Sequence, residues 1–257
     1  MKKIIAMIVA LVCILSVTGC AEAVTFKMGF DAEYPPYTYM GDDGEYTGFD
    51  IEMCKGVCDI LGWDIELVPI NWDTKLITLD AGEIDCIWSG LTIDVLDAEA
   101  YSISMAYSDN SQMILTKKDS GIASIADMEC KIVGVQLVTS ADIMLTNDMP
   151  DLVATFAELM RFENYNVCFT ELMAGSIDAI AIDIGVAAGK ITEYGDDYVM
   201  LDESLAAESY GICFRKDDAD MCAAVEGAFM QLVEDGTYLA LAEKYGLDTS
   251  ALCLLAD

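Results

Sequence analysis

Histidine is absent from this 257-residue chain, and basic residues are scarce: 13 Lys and Arg stand against 45 Asp and Glu, a formal net charge of −32. A surface of that sign repels phosphate backbones, so nucleic acid is excluded as a partner. Without imidazole, any general acid–base chemistry falls to carboxylates. Proline is rare too, with 4 residues, and the 19 Gly are scattered, which leaves no collagen-like or low-complexity period. Long apolar runs are also lacking. Ile4 to Val17 is the longest, and its 14 or so residues fall short of the roughly 20 that a spanning helix requires. No phosphate loop is present either, since Gly185-Val186-Ala187-Ala188-Gly189-Lys190 is one residue short and reads as a helix.

What the chain does have begins with a targeting segment. Lys2 and Lys3 precede the short apolar run, and Val17-Thr18-Gly19-Cys20 follows it. That tetrapeptide resembles the lipobox of bacterial lipoproteins. The resemblance implies a signal peptide over 1–19, a diacylglyceryl group on Cys20, and a tether over 20–23. An exported body anchored at the outer face of the cytoplasmic membrane, or in the periplasm, is therefore expected.

Ten cysteines suggest a disulfide framework, but their setting argues otherwise. Beyond Cys13 and Cys20, seven (Cys54, Cys58, Cys86, Cys130, Cys168, Cys213, Cys222) sit among apolar neighbours, as small buried hydrophobes do. Free thiols are the favoured expectation, although an oxidising compartment permits pairing. With no histidine nearby, Cys54 and Cys58 fit neither a zinc ribbon nor a redox pair, and no metal or cofactor is expected.

Periodicity gives a β-α-β-α-β order. A strand over Val24 to Phe30 leads into a turn-rich loop, Asp31 to Tyr37. Asp50 is placed to cap a helix carrying Ile51, Met53, Cys54, Val57, Cys58 and Leu61, which Gly62 ends. A strand follows over Trp63 to Ile70, then a helix from Asp73 and a strand from Asp85. The pattern helix, Ala-Gly-x-Ile-Asp, strand occurs at Ala81 to Asp85 and again at Ala174 to Asp178. Two α/β lobes of mostly parallel sheet are predicted, with ligand beyond the carboxyl ends of the strands. Lobe 1 takes 24–108 and 209–257, lobe 2 takes 112–205, and crossings near 108–112 and 205–210 form a hinge.

Asp31-x-x-Tyr34-Pro35-Pro36-Tyr37, Gly48-Phe49-Asp50, Ala81 to Asp85, Ser89-Gly90-Leu91-Thr92, Val133-Gly134-Val135-Gln136 and Tyr210-Gly211-Ile212 occur in that order. Together they resemble the polar amino-acid type of periplasmic solute-binding proteins, family 3, of ABC importers. The resemblance implies a type II periplasmic-binding fold that closes about its hinge. It implies a small-molecule ligand (an amino acid or cationic amine), an ABC permease as partner, and a monomer. A dehydratase-like enzyme on the same fold, or a sensing partner of a membrane receptor, are the alternatives. Carried onto matching positions, Asp31, Tyr34 and Trp72 would line the cleft. Ser89, Gly90 and Thr92 would offer a carbonyl, an N–H and a hydroxyl. Gln136, Thr139 and Ser140 would present a helix N-terminus, where N–H groups favour an anion. Asp183 would pair with an ammonium.

Two positions depart from the family. Asp97 stands where an Arg usually grips the ligand carboxylate, and Val138 stands where Gly usually precedes Thr139. The chain has two arginines, Arg161 and Arg215, and neither lies in a cleft segment. A cleft holding Asp31, Asp97 and Asp183 between Tyr34 and Trp72 is expected to favour a positive ligand.

Overall fold

The computed structural model describes residues 24–255, so the signal, the tether and Cys20 lie outside the described residues. Eight of the ten strands in its largest sheet lie on one path. Strands Glu158–Phe162, Ile132–Gln136 and Ala179–Asp183 form one end, and Cys86–Thr92, Thr25–Phe30 and Asp64–Pro69 form the other. Pairing within each end is parallel.

Two long antiparallel strands, Ser108–Lys117 and Ala206–Arg215, join these ends. They pair with each other from Ser108↔Tyr210 to Gln112↔Ala206. Beyond that shared stretch they part. Gln112 to Thr116 run beside Ala179–Asp183, while Tyr210 to Phe214 run beside Cys86–Thr92. Each strand thus starts between the halves and ends inside one of them.

Helix Phe49–Leu61 turns Phe49, Met53, Val57 and its neighbours inward and stops at Gly62, whose φ of 67° lies in the left-handed region. It packs on Ala219–Glu234, so the tail returns to the first half. A Cβ on Gly56 would sit 2.9 Å from Leu232 Cδ1, which is why a glycine occupies that crossing. Trp88, Tyr107, Phe229 and Tyr238 fill the space beneath, with Trp88 and Phe229 ring centroids 5.8 Å apart. Burying each such side chain contributes about 2–3 kcal/mol.

Several local expectations change. Asp50 is not a cap: Gly48 holds the N-cap position, and the Asp50 carboxylate is buried. The loop after Phe30 folds into a small sheet of Glu33–Tyr34, Thr38–Met40 and Tyr46–Thr47. Cys54, Cys58, Cys86, Cys168, Cys213 and Cys222 are buried free thiols, whereas Cys130 is exposed at a turn with φ 59°. No helix among the described residues is long and apolar enough to cross a membrane.

Candidate functional site

Strand ends from both halves meet over the two joining strands, and the space between them is a cleft. Its inner cavity, about 90 Å³, is lined by Tyr34, Trp72, Lys75, Gly90 and Thr92 from the first half and by Val138, Thr139, Ser140 and Asp183 from the second. An outer cavity of about 310 Å³ shares Trp72 with it and carries Asp31, Glu33, Asp73 and Glu163. The two halves touch directly: Gln136 Nε2 donates to Asp31 Oδ2 at 2.7 Å, and Thr92 Oγ1 lies 3.1 Å from Ser140 Oγ. Burial pushes the Asp31 carboxyl up from its ordinary value, against the opposing hydrogen bond from the Glu33 N–H.

The floor of the cleft is an acid pair held by amides. Asp183 Oδ1 accepts from Tyr210 OH at 2.7 Å, Asn110 Nδ2 at 2.8 Å and Gln112 Nε2 at 2.7 Å. All three bonds fall on one oxygen, Oδ1. Beside it, Glu208 Oε1 accepts from Asn110, Gln112 and Thr92 at 2.6–2.9 Å. Burial first, and the Asp183 charge second, push the Glu208 carboxyl up to about 7. Sequence reasoning missed Glu208, Asn110 and Gln112. A signal existed: Ser108, Asn110 and Gln112 alternate, as do Glu208 and Tyr210, so each set shares one buried face of its strand.

Nearby, Gly90 is not free to offer its N–H, which donates to Asp50 Oδ2 at 2.7 Å. Tyr107 OH binds that same oxygen at 2.9 Å, and burial drives Asp50 up to about 7. Ser89 faces the Asp31 loop, accepting from Asp31 N at 3.2 Å and pairing with Thr38 Oγ1, and it does not line either cavity. Tyr34 OH meets Tyr210 OH at 2.9 Å. Thr139 caps helix Ser140–Asn147, its Oγ1 accepting from Asp142 N.

Asp97 requires a correction. It is exposed and lines neither cavity. Its carboxylate takes the Glu99 N–H at 2.9 Å and its carbonyl takes those of Ala100 and Tyr101, so it caps a surface turn. Sequence reasoning also missed a cation in the cleft, Lys75, which is 6% exposed there. Its ammonium donates to Val138 O at 2.7 Å and Trp72 O at 3.2 Å and sits 4.7 Å from the Trp72 ring centroid. Val138 presents that carbonyl from φ 55°, a left-handed conformation that costs a β-branched residue about 1–2 kcal/mol.

Comparison with known proteins agrees with this architecture. The L-cystine-binding protein TcyJ of Escherichia coli K12 is 30% identical over 89% of this chain and 85% of its own. A solved ABC uptake transporter substrate binding protein from Streptococcus pneumoniae, with bound histidine, superposes with a TM-score of 0.84 at 29% identity, covering 89% of this chain and 94% of that one. An ancestral amino acid-binding protein, a precursor of cyclohexadienyl dehydratase, superposes at 0.78 with 32% identity over 86% and 95%. The fold is the type II periplasmic-binding fold, and the family model for bacterial extracellular solute-binding proteins, family 3, matches residues 26–248. The chain belongs to the bacterial extracellular solute-binding proteins, family 3.

Proposed function

We propose that this protein captures an amino acid in the cleft between its halves and delivers it to an ABC permease. The observation that carries the reading is Asp183. Its Oδ1 is fixed by three donors while Oδ2 remains open to a cavity walled by both halves. A carboxylate so held is a preorganised partner for an ammonium group. Tyr34, Thr92, Thr139 and Ser140 complete the wall, and Asp31 with Gln136 latches the halves at the outer edge. The relatives described above include proteins named for binding cystine and bound to histidine, which supports the amino-acid class.

Lobe 1 is assigned 24–108 and 209–257 and lobe 2 is assigned 112–205, with the hinge at the paired stretch of the two joining strands. A ligand that touches both lobes favours the closed state by its extra contacts there. The protein is exported through the segment 1–19, lipidated at Cys20 and monomeric. Binding is favoured over turnover, because the donors around Asp183 and Glu208 hold both acids in place and no histidine is available as a base.

Thermal melting against a panel tests the class. The twenty amino acids, L-cystine, small amines and monosaccharides are each added at 1,000 times a micromolar Kd. An amino acid should raise stability by about 4 kcal/mol, a shift of several degrees. Stabilisation by a monosaccharide with none by any amino acid would overturn the reading.

A further inference from the structure

Lys75 is a buried cation with no direct salt bridge, and Asp73 and Asp31 attract it only from a distance. Among the described residues no carboxylate oxygen lies within 4.0 Å of its ammonium, and its two acceptors are main-chain carbonyls, Trp72 O and Val138 O. An ammonium has three N–H donors, so one is left over. Burying a charge without a counter-ion costs several kcal/mol, and such a residue persists where something offsets that cost.

Its surroundings indicate what the counter-ion is. Lys75 lines the inner cavity together with Thr139 and Ser140. These two residues start helix Ser140–Asn147, eight residues long, in the opposite half. The first N–H groups of a helix have no partner within it, and its dipole favours negative charge there. Val138, which Lys75 already touches, directly precedes that terminus. Asp183 lies on the same cavity, so one negative wall and one positive wall face the same space.

We propose that Lys75 is the residue that holds the ligand's α-carboxylate, working from the helix after Trp72 and together with the helix terminus at Thr139–Ser140. This assignment rests on the amino-acid reading given above and deepens it: the ligand is a zwitterion, not a simple amine. The carboxylate bridges the halves beside the existing contact between Lys75 and Val138, so recognising it and closing the cleft become one event. Asp97, on its surface turn, takes no part.

The test uses matched pairs that differ only in the carboxylate: L-cystine and cystamine, L-histidine and histamine, L-arginine and agmatine. Calorimetry is run on the exported body and on Lys75→Met, Lys75→Gln and Lys75→Arg. The unmutated protein should prefer the amino acid of its best pair. In Lys75→Met and Lys75→Gln, amino-acid affinity should fall at least about 30-fold while affinity for the amine stays within about 3-fold, and Lys75→Arg should keep the preference. Using two neutral variants guards against misfolding of one. An unchanged amino-acid preference in both would overturn the assignment to Lys75 while leaving the amino-acid reading intact. Tight binding of an amine with rejection of its amino acid by the unmutated protein would overturn both.

Discussion

Asp183 Oδ1 and Glu208 Oε1 lie at the same distance, 2.7 Å, from a single nitrogen, Gln112 Nε2. Burial, and then the Asp183 charge beside it, disfavour ionisation of Glu208, and the protein carries this as a pH dependence. Glu208 is raised from 4.5 to about 7, and Asp50 from 3.8 to about 7. For a raised carboxyl, the folded state holds more protons than the unfolded one between the two values. The stability these two groups contribute is therefore full below about pH 4 and is lost as pH rises through 7. The contribution of Glu208 is up to about 3 kcal/mol. The ligand-free protein should melt several degrees lower at pH 7.5 than at pH 5, and Glu208→Gln should remove part of that difference. A melting temperature that rises over this range would contradict it.

Ligand binding runs through the same pair. An ammonium arriving at Asp183 favours ionised Glu208, so capture near pH 6.5 should release a fraction of a proton. Calorimetry in two buffers of different ionisation enthalpy reads this directly. Above pH 8 the trend reverses, since burial pulls Lys75 down to about 8 and its charge is lost. Affinity should rise from pH 5.5 to 7.5 and fall again by pH 9.5.

Gly90 has φ 52°, and a Cβ there would lie 2.6 Å from Tyr34 Cε1 and 3.3 Å from Tyr210 Cε2. Both rings belong to the hydroxyl chain that ends on Asp183. Gly90→Ala should therefore lower stability by about 2 kcal/mol and weaken amino-acid binding at least about tenfold. Denaturant unfolding and calorimetry measure the two effects separately.

Arg215 gives the contrasting case. Its guanidinium donates to the carbonyls of Leu79 and Ile84 and pairs with Asp85 at 3.1 Å and Asp218 at 2.7 Å, away from the cleft. Arg215→Met leaves those acceptors unpaired and should cost about 3 kcal/mol in urea unfolding. Amino-acid affinity of the folded fraction should be unchanged.

Much of this was legible in the sequence because it is local. Glycine at a helix end, alternation along a strand and the Asp31 to Tyr37 turn each depend on neighbouring residues. The order of motifs then placed Tyr34 in the loop after the first strand, Thr92 and Asp183 at strand ends, and Ser140 at a helix start. Lys75 was not legible: on a short helix, a lysine three residues after Trp72 reads as solvated, whereas in the fold it is held by Trp72 and by Val138 from the other half. Asp97 failed for the opposite reason. Motif spacing fixed its place along the chain, but the turn from Ile93 to Ala100 carries it to the surface. The polar residues of the two joining strands went unread because alternation among Ser, Asn and Gln resembles an exposed edge until two such strands pair.

Titration of the exported body and of Asp183→Asn with the amino acid that raises melting most, followed by calorimetry at pH 7.5, bears on the whole scheme. Removing the Asp183 charge takes away the ammonium partner while keeping a side chain that fits the same amide cage. The expected result is a micromolar or tighter Kd for the parent and at least a hundredfold loss in the variant, with unchanged secondary structure. Equal affinity in the two proteins would place the ligand somewhere other than the cleft described here.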